Sequence, residues 1–456
     1  MKLKKYDHSV QEKIIYDFWE QKNLFVPKPK KSKKTFSIVI PPPNITGKLH
    51  MGHALNNSLQ DVLIRYYRMN GYETLWQPGT DHAGIATQAI VEKNLSKENI
   101  NKNDIGREKF IEKVWEWKDK SGGLILDQLK KLGCSCDWSR SRFTMDVQMS
   151  QAVTKVFVEL YNNNLIYKDK KLVNWDTKLQ TAISDLEVVQ NEIQSQLYYI
   201  NYPIFSSKEK ITVATTRPET MMGDSAIAVN PKDPRYKNFV GKFAVIPIVN
   251  RKIKIIEDYY ADPAQGTGAV KITPAHDFND YSVGKRNKLE IINILEKDGK
   301  INKNGIHSYV GLDRFEARKK IIIELKSINL LEKIESIKNN VPYGDRSGTV
   351  IEPRLTEQWF VDAKSLSKKP IQTIKSKSTT FFPENWNKTF FQWMNNIEPW
   401  CISRQIWWGH RIPVWYGQDG KIFAAENEVI AKKLAQKFYK NKEFKLTQET
   451  DVLDTW

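Results

Sequence analysis

Two histidines, His50 and His53, stand three residues apart around a glycine, Gly52. In the first turn of a helix, both imidazoles would share one face, beside the free backbone N–H groups and the positive end of the helix dipole. Such a helix end attracts phosphate, and Gly52 would let a flat ring or a phosphate approach the backbone. The alternative is ordinary capping of a surface helix. Neither a Walker A loop nor G-x-G-x-x-G occurs, so the usual phosphate-binding loops are excluded.

The elements around these histidines follow a strand–helix–strand pattern. Residues 36–40 are apolar and predict a strand, which Pro41 to Pro43 end because proline cannot donate to a sheet ladder. From His50 apolar residues recur every three or four positions, which predicts a helix ending at Asn70-Gly71, and residues 72–76 predict a second strand. A βαβ unit implies a parallel sheet covered by helices and hence an α/β fold. Further helices are predicted over 105–131 and 147–162.

Tryptophan is unevenly distributed and indicates an insertion. Six tryptophans fall within residues 1–175, none within 176–358, and eight within 359–456. Inside the gap, short β-branched segments alternate with Gly, Pro and Asp turns, which predicts a compact β-rich module with few helices. The predicted strands of this module cover 211–214, 226–229, 243–249, 253–256 and 269–272.

Composition narrows the class of protein. The chain has 456 residues, 40% apolar and 27% charged, which predicts a globular protein of about three domains. Its net charge of +18 favours a polyanionic partner, although a lysine-rich composition without function is the alternative. Cys134, Cys136 and Cys401 are too few for a disulfide framework and lack the C-x-x-C spacing of zinc sites. Without a signal peptide or a long apolar run, the sequence predicts a cytoplasmic protein with no membrane partner.

The residues around the two histidines resemble a known signature. The string from Pro41 to Ala54, PPPNITGKLHMGHA, is similar to the HIGH motif of class I aminoacyl-tRNA synthetases, and its proline triplet with Asn44 is typical of the valine-specific branch. The string from Gln77 to Gln88 resembles the same branch. Similar blocks occur at 172–189, 215–230, 266–280, 345–360, 396–416 and 451–456. The resemblance therefore covers essentially the whole chain, with a Rossmann-like nucleotide-binding sheet interrupted by a β-rich editing domain.

This resemblance implies ATP-dependent charging of a valine-specific tRNA in two steps. The carboxylate of valine would attack the α-phosphate of ATP, and the terminal ribose of tRNA(Val) would then accept the valyl group. Pyrophosphate is displaced in line from the α-phosphorus, and negative charge builds on the phosphate oxygens and on the leaving pyrophosphate. Positioning of the reactants and stabilisation of this charge should therefore dominate catalysis. The implied catalytic residues are His50 and His53, which would hydrogen-bond to phosphate oxygens. Mg²⁺ would enter with ATP, and no structural metal is expected.

The resemblance also implies which residues bind the two small substrates. ATP would be bound by Asn44, Thr46, Gly52 and His53. Asp81 would pair with the ammonium of valine, and Asn44 would orient the amino acid; the alternative for Asp81 is the N-cap of the next helix. Pro41, Pro42 and Trp456 would shape the apolar pocket, since rigid prolines resist the expansion that would admit isoleucine.

An apolar pocket rejects threonine poorly, because threonine is isosteric with valine. The β-rich insertion resembles the editing domain of this branch, which hydrolyses threonine from mischarged tRNA(Val). Asp280 would anchor the threonyl ammonium, while Thr273 and Asp277 would line the pocket and place the attacking water. The terminal adenosine and its phosphate would be held by Thr216, Arg217 and Lys271. No serine, cysteine or metal nucleophile is evident, which predicts direct attack by water on the ester.

Three features have competing interpretations. His276 is either a base or a structural histidine in the turn after Pro274. Asp277 and Asp280 are spaced like a metal pair, but a third ligand is missing, so no metal site is expected there. The aromatics and arginines of 396–410 suit stacking on nucleotide bases, but we expect most of the tryptophans to be core residues.

By the same resemblance, residues 1–190 form the N-terminal half of the catalytic domain, 191–345 the editing domain, and 346–456 the return to the catalytic domain. No counterpart of the KMSKS loop or of the anticodon-binding region follows. Three interpretations stay open: a fragment of a longer enzyme, one half of a split enzyme completed by a second polypeptide, or a protein that keeps only tRNA binding and editing. Because the lysines of the loop neutralise pyrophosphate, the isolated chain is expected to activate valine poorly.

Overall fold

The structure is a computed structural model that describes residues 6–28, 34–440 and 443–454. The chain divides into two compact units, Met1–Ile166 with Gln405–Trp456 and Tyr167–Arg404. In the described parts of the chain, no helix has the length and apolar character needed to cross a membrane. The helices are α1 (His8–Gln21), α2 (Met51–Met69), α3 (Gly84–Lys97), α4 (Lys102–Lys131), α5 (Val147–Asn162), α6 (Phe278–Arg286), α7 (Arg314–Ser327), α8 (Ala363–Lys375), α9 (Trp386–Asn395) and α10 (Glu428–Phe438).

The strands differ in length. They are β1 (Thr35–Val39), β2 (Glu73–Gln77), β3 (Gly79–Thr80), β4 (Arg142–Phe143), β5 (Ile166–Asp176), β6 (Thr181–Ile183), β7 (Val188–Pro203), β8 (Lys210–Thr215), β9 (Ala226–Val229), β10 (Phe243–Val245), β11 (Lys252–Glu257), β12 (Ala269–Ile272), β13 (Leu331–Gly344), β14 (Glu352–Val361), β15 (Trp400–Cys401), β16 (Ser403–Arg404), β17 (His410–Arg411), β18 (Val414–Tyr416), β19 (Ile422–Ala424), β20 (Thr447–Gln448) and β21 (Val452–Leu453). Four strands have ten or more residues, β5, β7, β13 and β14, and the others are short.

The predicted strand–helix–strand unit is present in the first unit. Strands β1 and β2 pair in parallel, with Thr35 opposite Glu73, and α2 connects them. The pairing continues beyond the prolines as a parallel bridge between Asn44 and Asp81. Strands β3 and β4 form a second parallel pair. Parallel pairs with helical connections confirm the α/β class expected from the sequence.

Two tryptophans lie at the centre of the first unit's core. Trp76 on β2 and Trp408 are both fully buried, in one cluster with apolar side chains of α2 and α4. The indole Nε1 of Trp408 donates to the carbonyl of His82 at 2.9 Å. Trp407 packs against the same cluster. The core interpretation of Trp407 and Trp408 is therefore confirmed.

We expect Trp408→Ala to lower the free energy of unfolding by about 3–5 kcal/mol, because the truncation leaves a cavity and removes an indole hydrogen bond. Trp393 on α9 is 56% exposed. Trp393→Ala is therefore the matched control, with an expected change within about 0.5 kcal/mol. Urea denaturation followed by circular dichroism measures both variants, and equal losses would contradict the difference in packing.

The second unit contains the predicted β-rich module. One sheet has the order β10-β11-β9-β12, and another, β13-β7-β8, is built on the long antiparallel pair of β7 and β13. Their apolar side chains form a buried cluster together with α7. All five strands predicted for the tryptophan-free stretch are present. The strand predicted over 243–249 ends at Val245, because Pro247 follows and Ile248 has a positive φ of 63°.

Helix α2 carries apolar side chains on two faces. On the inner face, Ile64 is fully buried and Tyr67 stacks on Phe36 of β1, with 3.9 Å between ring centroids. The side chains of the outer stripe of α2 are 59–87% exposed; they are Met51, Leu55, Leu59, Val62, Tyr66 and Met69. Their spacing of three or four residues places them in one line along the helix. A continuous line of exposed apolar side chains is typical of a surface that another element or partner covers.

Candidate functional site

The first site lies at the N-terminus of α2. His50 is the N-cap, and its Nδ1 accepts the backbone N–H of Gly52 at 3.1 Å, while Nδ1 of His53 accepts the backbone N–H of His50 at 3.3 Å. The ring centroids lie 4.0 Å apart. Burial and the neighbouring His50 lower the pKa of His53, which favours its neutral form. Capping is therefore observed, and because it uses Nδ1 of each ring, Nε2 is left for a ligand.

Gly52 is required by the His50 ring itself. A Cβ on Gly52 would lie 2.9 Å from Cε1 and 3.0 Å from Nδ1 of His50. A larger residue would push the imidazole away from the helix end. The backbone N–H of Leu49 donates to Oε1 of Gln128 at 2.9 Å, which fixes the turn that leads into the helix. Sequence and packing together hold the His50 ring over the free N–H groups of α2.

Asp81 lies beside Asn44 in the parallel bridge that extends β1 and β2. Its Oδ1 accepts the hydroxyl of Thr144 at 3.0 Å and lies 3.2 Å from Nδ1 of His82. Burial opposes ionisation, but the hydrogen bond and charge of His82 and the Thr144 hydroxyl outweigh it, so the pKa of Asp81 lies below its ordinary value. A carboxylate charged at neutral pH suits an ammonium ligand. The N-cap position of α3 is Ala83, so the N-cap interpretation of Asp81 was wrong.

Sequence reasoning missed the residues that support Asp81. The hydroxyl of Thr144 contacts both Asp81 and Nδ1 of His82, the latter at 2.7 Å. The rings of His82 and His410 lie 5.4 Å apart, and burial followed by His82 lowers the pKa of His410 to about 4. His82 adjoins Asp81 in the matched string and could have been found there. His410 stands inside the matched block 396–416, whereas no local pattern indicates Thr144.

The other residues predicted to bind ATP and valine follow β1 directly. Pro41, Pro42 and Asn44 are exposed, and Thr46 is partly buried. Trp456 lies outside the described residues. Ile45, between these positions, is fully buried, and its carbonyl accepts the indole N–H of Trp117 at 2.8 Å, which anchors the segment to α4. The structure thus brings Asn44 next to Asp81. Asn44 directly precedes Ile45, the buried residue that is held by α4.

The second site lies where β12 leads into α6. Asp277 caps α6, and its Oδ1 accepts the backbone N–H groups of Asn279 at 2.8 Å and Asp280 at 3.0 Å. Asp280, in the first turn, is 6% exposed, and its Oδ2 accepts the backbone N–H of Thr273 at 2.8 Å. Burial, followed by the charge of Asp277, raises the pKa of Asp280 to about 7. A buried carboxyl with such a pKa is typical of functional sites.

Lys271 belongs to a buried polar cluster next to Thr273. Its Nζ donates to Oγ1 of Thr220 at 2.7 Å, Oγ1 of Thr273 at 2.5 Å and Oδ1 of Asp224 at 3.0 Å. Asp224 also accepts the hydroxyl of Tyr202 at 2.7 Å. The sequence indicated Lys271 and Thr273. Asp224 stands inside the matched block 215–230, but its role and that of Tyr202 are recognisable only by their contacts.

Arg217 is held by a second polar network. Its guanidinium donates to Glu219 at 3.4 Å, to the carbonyl of His276 at 3.0 Å, and to Glu352. Arg318 adds two hydrogen bonds to Glu219, at 2.7 Å and 2.8 Å. Glu219 and Glu352 are buried, so their charges need these arginines. Part of the donor capacity of Arg217 is therefore used inside the protein.

His276 has a structural role in its surroundings. It is buried, and its Nε2 accepts the backbone N–H of Ile294 at 3.0 Å. Burial, followed by the charge of Arg217, lowers the pKa of His276 well below its ordinary value. A neutral ring whose basic nitrogen accepts a backbone N–H cannot take a proton from water. The structural interpretation of His276 is therefore preferred to the base.

A groove of about 990 Å³ opens beside these networks. Its lining includes Thr216, Arg217 and Asp277, together with amide and aromatic side chains such as Asn339 and Phe315. Amides and aromatic rings suit an unpaired nucleotide, which offers polar edges and a stacking face. Within the described ranges, no group of three or more His, Cys, Asp or Glu side chains is arranged to hold a metal ion.

Comparison with known proteins shows one consistent similarity. The family model for class I tRNA synthetases (I, L, M and V) matches residues 14–456. A valine–tRNA ligase from Pelagibacter ubique (strain HTCC1062) is 69% identical over 452 residues, which cover 99% of this chain and 51% of that protein. Another, from Caulobacter vibrioides, is 53% identical over 474 residues, which cover 99% of this chain and 52% of that protein. The chain spans about half the length of these curated relatives.

A third valine–tRNA ligase, from Rhodopseudomonas palustris, is 55% identical over 462 residues, with 92% of this chain and 48% of that protein covered. Among solved structures, the LeuRS–tRNA–LeuAMS ternary complex of Agrobacterium radiobacter K84 has 17% identity and a TM-score of 0.46, and the match covers 99% of this chain and 58% of that one.

Proposed function

Because the chain belongs to the class I tRNA synthetases of the I, L, M and V group, we propose that it is the part of a valine–tRNA ligase that binds ATP and valine and edits threonyl-tRNA(Val). The observation that carries the proposal is the pairing of Asn44 with an ionised Asp81 in the same βαβ unit whose helix begins with His50 and His53. One unit thus offers an ammonium site and a phosphate site.

In the first site, each group has a chemical task. The N-terminus of α2 and the Nε2 atoms of His50 and His53 would receive phosphate oxygens of ATP, with Asn44 and Thr46 beside them. Asp81 would fix the ammonium of valine, so that its carboxylate faces the α-phosphate. Mg²⁺ would arrive with ATP. Attack forms the carboxyl–phosphate bond of valyl-adenylate and releases pyrophosphate, and charge stabilisation dominates this step.

In the second site, we propose hydrolysis of the threonyl ester. Asp280 would pair with the threonyl ammonium, while Thr273 and Asp277 would line the pocket and place a water molecule. Thr216 and Arg217, which line the groove, would hold the terminal nucleotide. Attack by water breaks the bond between the acyl carbon and the ribose oxygen, and yields threonine and tRNA with a free hydroxyl. The ester is already activated, so no protein nucleophile is needed.

A second candidate function is editing alone, with the chain acting as an aminoacyl-tRNA deacylase. The favouring observation is that all six residues assigned to editing lie within the single compact unit Tyr167–Arg404. In either case the substrate is tRNA, and we place the activity in the cytoplasm.

A partner polypeptide is part of the proposal. The outer stripe of α2 exposes six apolar side chains next to the ATP site, and the chain spans about half the length of its relatives. We propose that polypeptide corresponding to the rest of those relatives covers this stripe, either in the same chain or as a second one. Apolar side chains of the added polypeptide would bury the outer stripe of α2.

Hydrolysis of threonyl-tRNA(Val) should rise with pH. The pKa of Asp280 is about 7 in the free protein, so the carboxylate that binds ammonium is a minor form at lower pH. Between about pH 6 and pH 7.5, kcat/KM should increase about tenfold after subtraction of uncatalysed hydrolysis. Asp277→Asn should move this rise to lower pH, because the charge of Asp277 contributes to the raised pKa. A pH-independent kcat/KM would contradict the assignment of Asp280.

A further inference from the structure

The hydroxyl of Thr144 contacts two neighbouring residues of the proposed amino-acid site, Asp81 and His82. Its Oγ1 lies 2.8 Å from the backbone N of His82, 2.7 Å from Nδ1 of the same residue and 3.0 Å from Oδ1 of Asp81. A threonine hydroxyl has one hydrogen to donate and two lone pairs with which to accept. These three contacts therefore use its whole hydrogen-bonding capacity.

The direction of each hydrogen bond follows from the groups that can only donate or only accept. The backbone N–H of His82 can only donate, so it takes one lone pair of the Thr144 hydroxyl. The ionised carboxylate of Asp81 can only accept, so the hydroxyl hydrogen points to its Oδ1. Nδ1 of His82 must then carry a hydrogen and donate to the remaining lone pair. A bare Nδ1 would face lone pairs of both Thr144 and Asp81, since it also lies 3.2 Å from Oδ1.

Asp81 is held through both its backbone and its side chain. Its backbone N–H donates to the carbonyl of Pro43 at 2.9 Å, and its carbonyl accepts the N–H of Ile45 at 3.0 Å, on the segment that follows β1. Thr144, on the segment that follows β4, donates its own backbone N–H to the carbonyl of Thr80 at 3.1 Å. The Thr144 hydroxyl therefore reaches the carboxylate from a fixed backbone position.

The carboxylate of Asp81 is fixed at one oxygen and is still reachable by a ligand. The side-chain contacts from Thr144 and His82 are both made to Oδ1. The side chain of Asp81 is 26% exposed, whereas that of His82 is 4% exposed. An ammonium that binds here meets a carboxylate whose orientation is already set, which lowers the cost of binding.

We propose that Thr144 is a positioning residue for valine, whose hydroxyl fixes the Asp81 carboxylate and the His82 ring in the arrangement that receives the ammonium. This inference rests on the proposed function. Thr144 acts through Asp81 and does not itself contact valine. Loss of the hydroxyl leaves the carboxylate less firmly held, so valine binding weakens while ATP binding does not.

The kinetic test is valine-dependent exchange of pyrophosphate into ATP, with the remaining half of the Pelagibacter ubique relative supplied. Thr144→Val keeps the shape of the side chain and removes the hydroxyl, so it should raise KM for valine about 10–100-fold. KM for ATP and kcat should change by less than about threefold. Thr144→Ser keeps the hydroxyl and should stay within about threefold of the parent in each of these constants.

Thr87→Val is the matched control. Thr87 is also a buried threonine of the first unit, and its hydroxyl has no hydrogen-bond partner among the described residues. The same change there should leave KM for valine within about twofold of the parent. The positioning role is overturned if Thr144→Val leaves KM for valine unchanged, or if Thr144→Ser raises it as much as Thr144→Val.

Nitrogen NMR of the histidine-labelled chain provides a readout that does not depend on activity. It shows which ring nitrogen of each histidine carries a hydrogen, and His82→Gln identifies the signals of His82 by their loss. In the parent and in Thr144→Ser, Nδ1 of His82 should carry the hydrogen. A hydrogen on Nε2 alone would overturn the proposed direction of the hydrogen bonds. If the supplemented chain exchanges no pyrophosphate, the proposed function fails, and this spectrum still decides the arrangement around Thr144.

Discussion

Asp280→Ala is expected to lower kcat/KM for hydrolysis of threonyl-tRNA(Val) by about 10²–10³-fold, because the change leaves the threonyl ammonium without a carboxylate in a buried site. The matched control is the joint change His50→Ala and His53→Ala, which alters the other compact unit and should leave hydrolysis within about twofold. Single-turnover deacylation of threonyl-tRNA(Val) measures both. The reverse pattern, with hydrolysis lost in the histidine variant and kept in Asp280→Ala, would show that the two sites are wrongly assigned.

Asp280→Asn separates the loss of charge from the loss of packing. The folded-state pKa of Asp280, about 7, lies above its ordinary value, so folding favours the protonated form. The stabilising contribution of this carboxyl is therefore complete below its ordinary pKa and is lost as pH rises through about 7. An amide stays neutral, so the Asp280→Asn protein should be at least as stable as the parent at about pH 8, yet hydrolyse as poorly as Asp280→Ala.

Thermal unfolding at about pH 5 and about pH 8 checks this expectation. The difference in Tm between the Asp280→Asn protein and the parent should shift in favour of the variant as pH rises. A variant that loses the same stability at both pH values would show that the pKa of Asp280 is not raised in the folded protein.

The helices and strands were largely predictable because their signals are local. Apolar spacing and the Asn-Gly stop give the bounds of α2, which ends at Met69 with Asn70 as its C-cap. The predicted strand over 243–249 was too long because β-branched residues continue past Pro247, where the backbone can no longer pair. The preference of these residues for β structure continues past the proline, whereas the pairing of β10 with β11 stops at Val245.

The site was predictable only where a motif marked it. His50, His53 and Asp81 stand inside matched strings, but Thr144 reaches Asp81 across 63 positions, and Asp224 reaches Lys271 across 47. Contacts of that separation are set by tertiary packing and leave no trace in a local pattern. The sequence could therefore indicate the charged groups. It could not indicate the residues that form hydrogen bonds with them or shift their pKa values.

Arg217 is a residue that the sequence indicated, but whose partners within the protein it did not. Its guanidinium suits a phosphate, which is the role that the resemblance implies, but the structure places it against Glu219 and Glu352. A planar guanidinium has five donors, so a nucleotide could share it with the two glutamates. Side-chain type indicates which chemistry is available, and only the neighbours indicate how much of it is already in use.

Valine-dependent exchange of pyrophosphate into ATP should be weak for the chain alone and should increase by at least about 100-fold when the remaining half of the Pelagibacter ubique relative is supplied. The relative is 69% identical to this chain over the shared region. The surface of its remaining half that contacts the shared region should therefore also fit the outer stripe of α2. His50→Ala with His53→Ala should lower the restored exchange by about 10²–10⁴-fold, because two hydrogen bonds to the reacting phosphates are lost. Asp280→Ala is the control, and its exchange should stay within about twofold of the parent.

The same assay tests the contact surface. Leu55→Lys with Leu59→Lys places two charges in the outer stripe, where both side chains are more than 60% exposed, so the folded chain should tolerate them. A lysine buried against an apolar partner costs several kcal/mol, so the added half should no longer bind or restore exchange. Ile323→Lys, at a position on α7 that is 67% exposed, is the matched control and should leave restoration intact. Full exchange by the chain alone would contradict the proposed partner, because the ATP site would then be complete without it. Full restoration of exchange by the added half in the stripe variant would contradict the proposal that this half covers the outer stripe of α2.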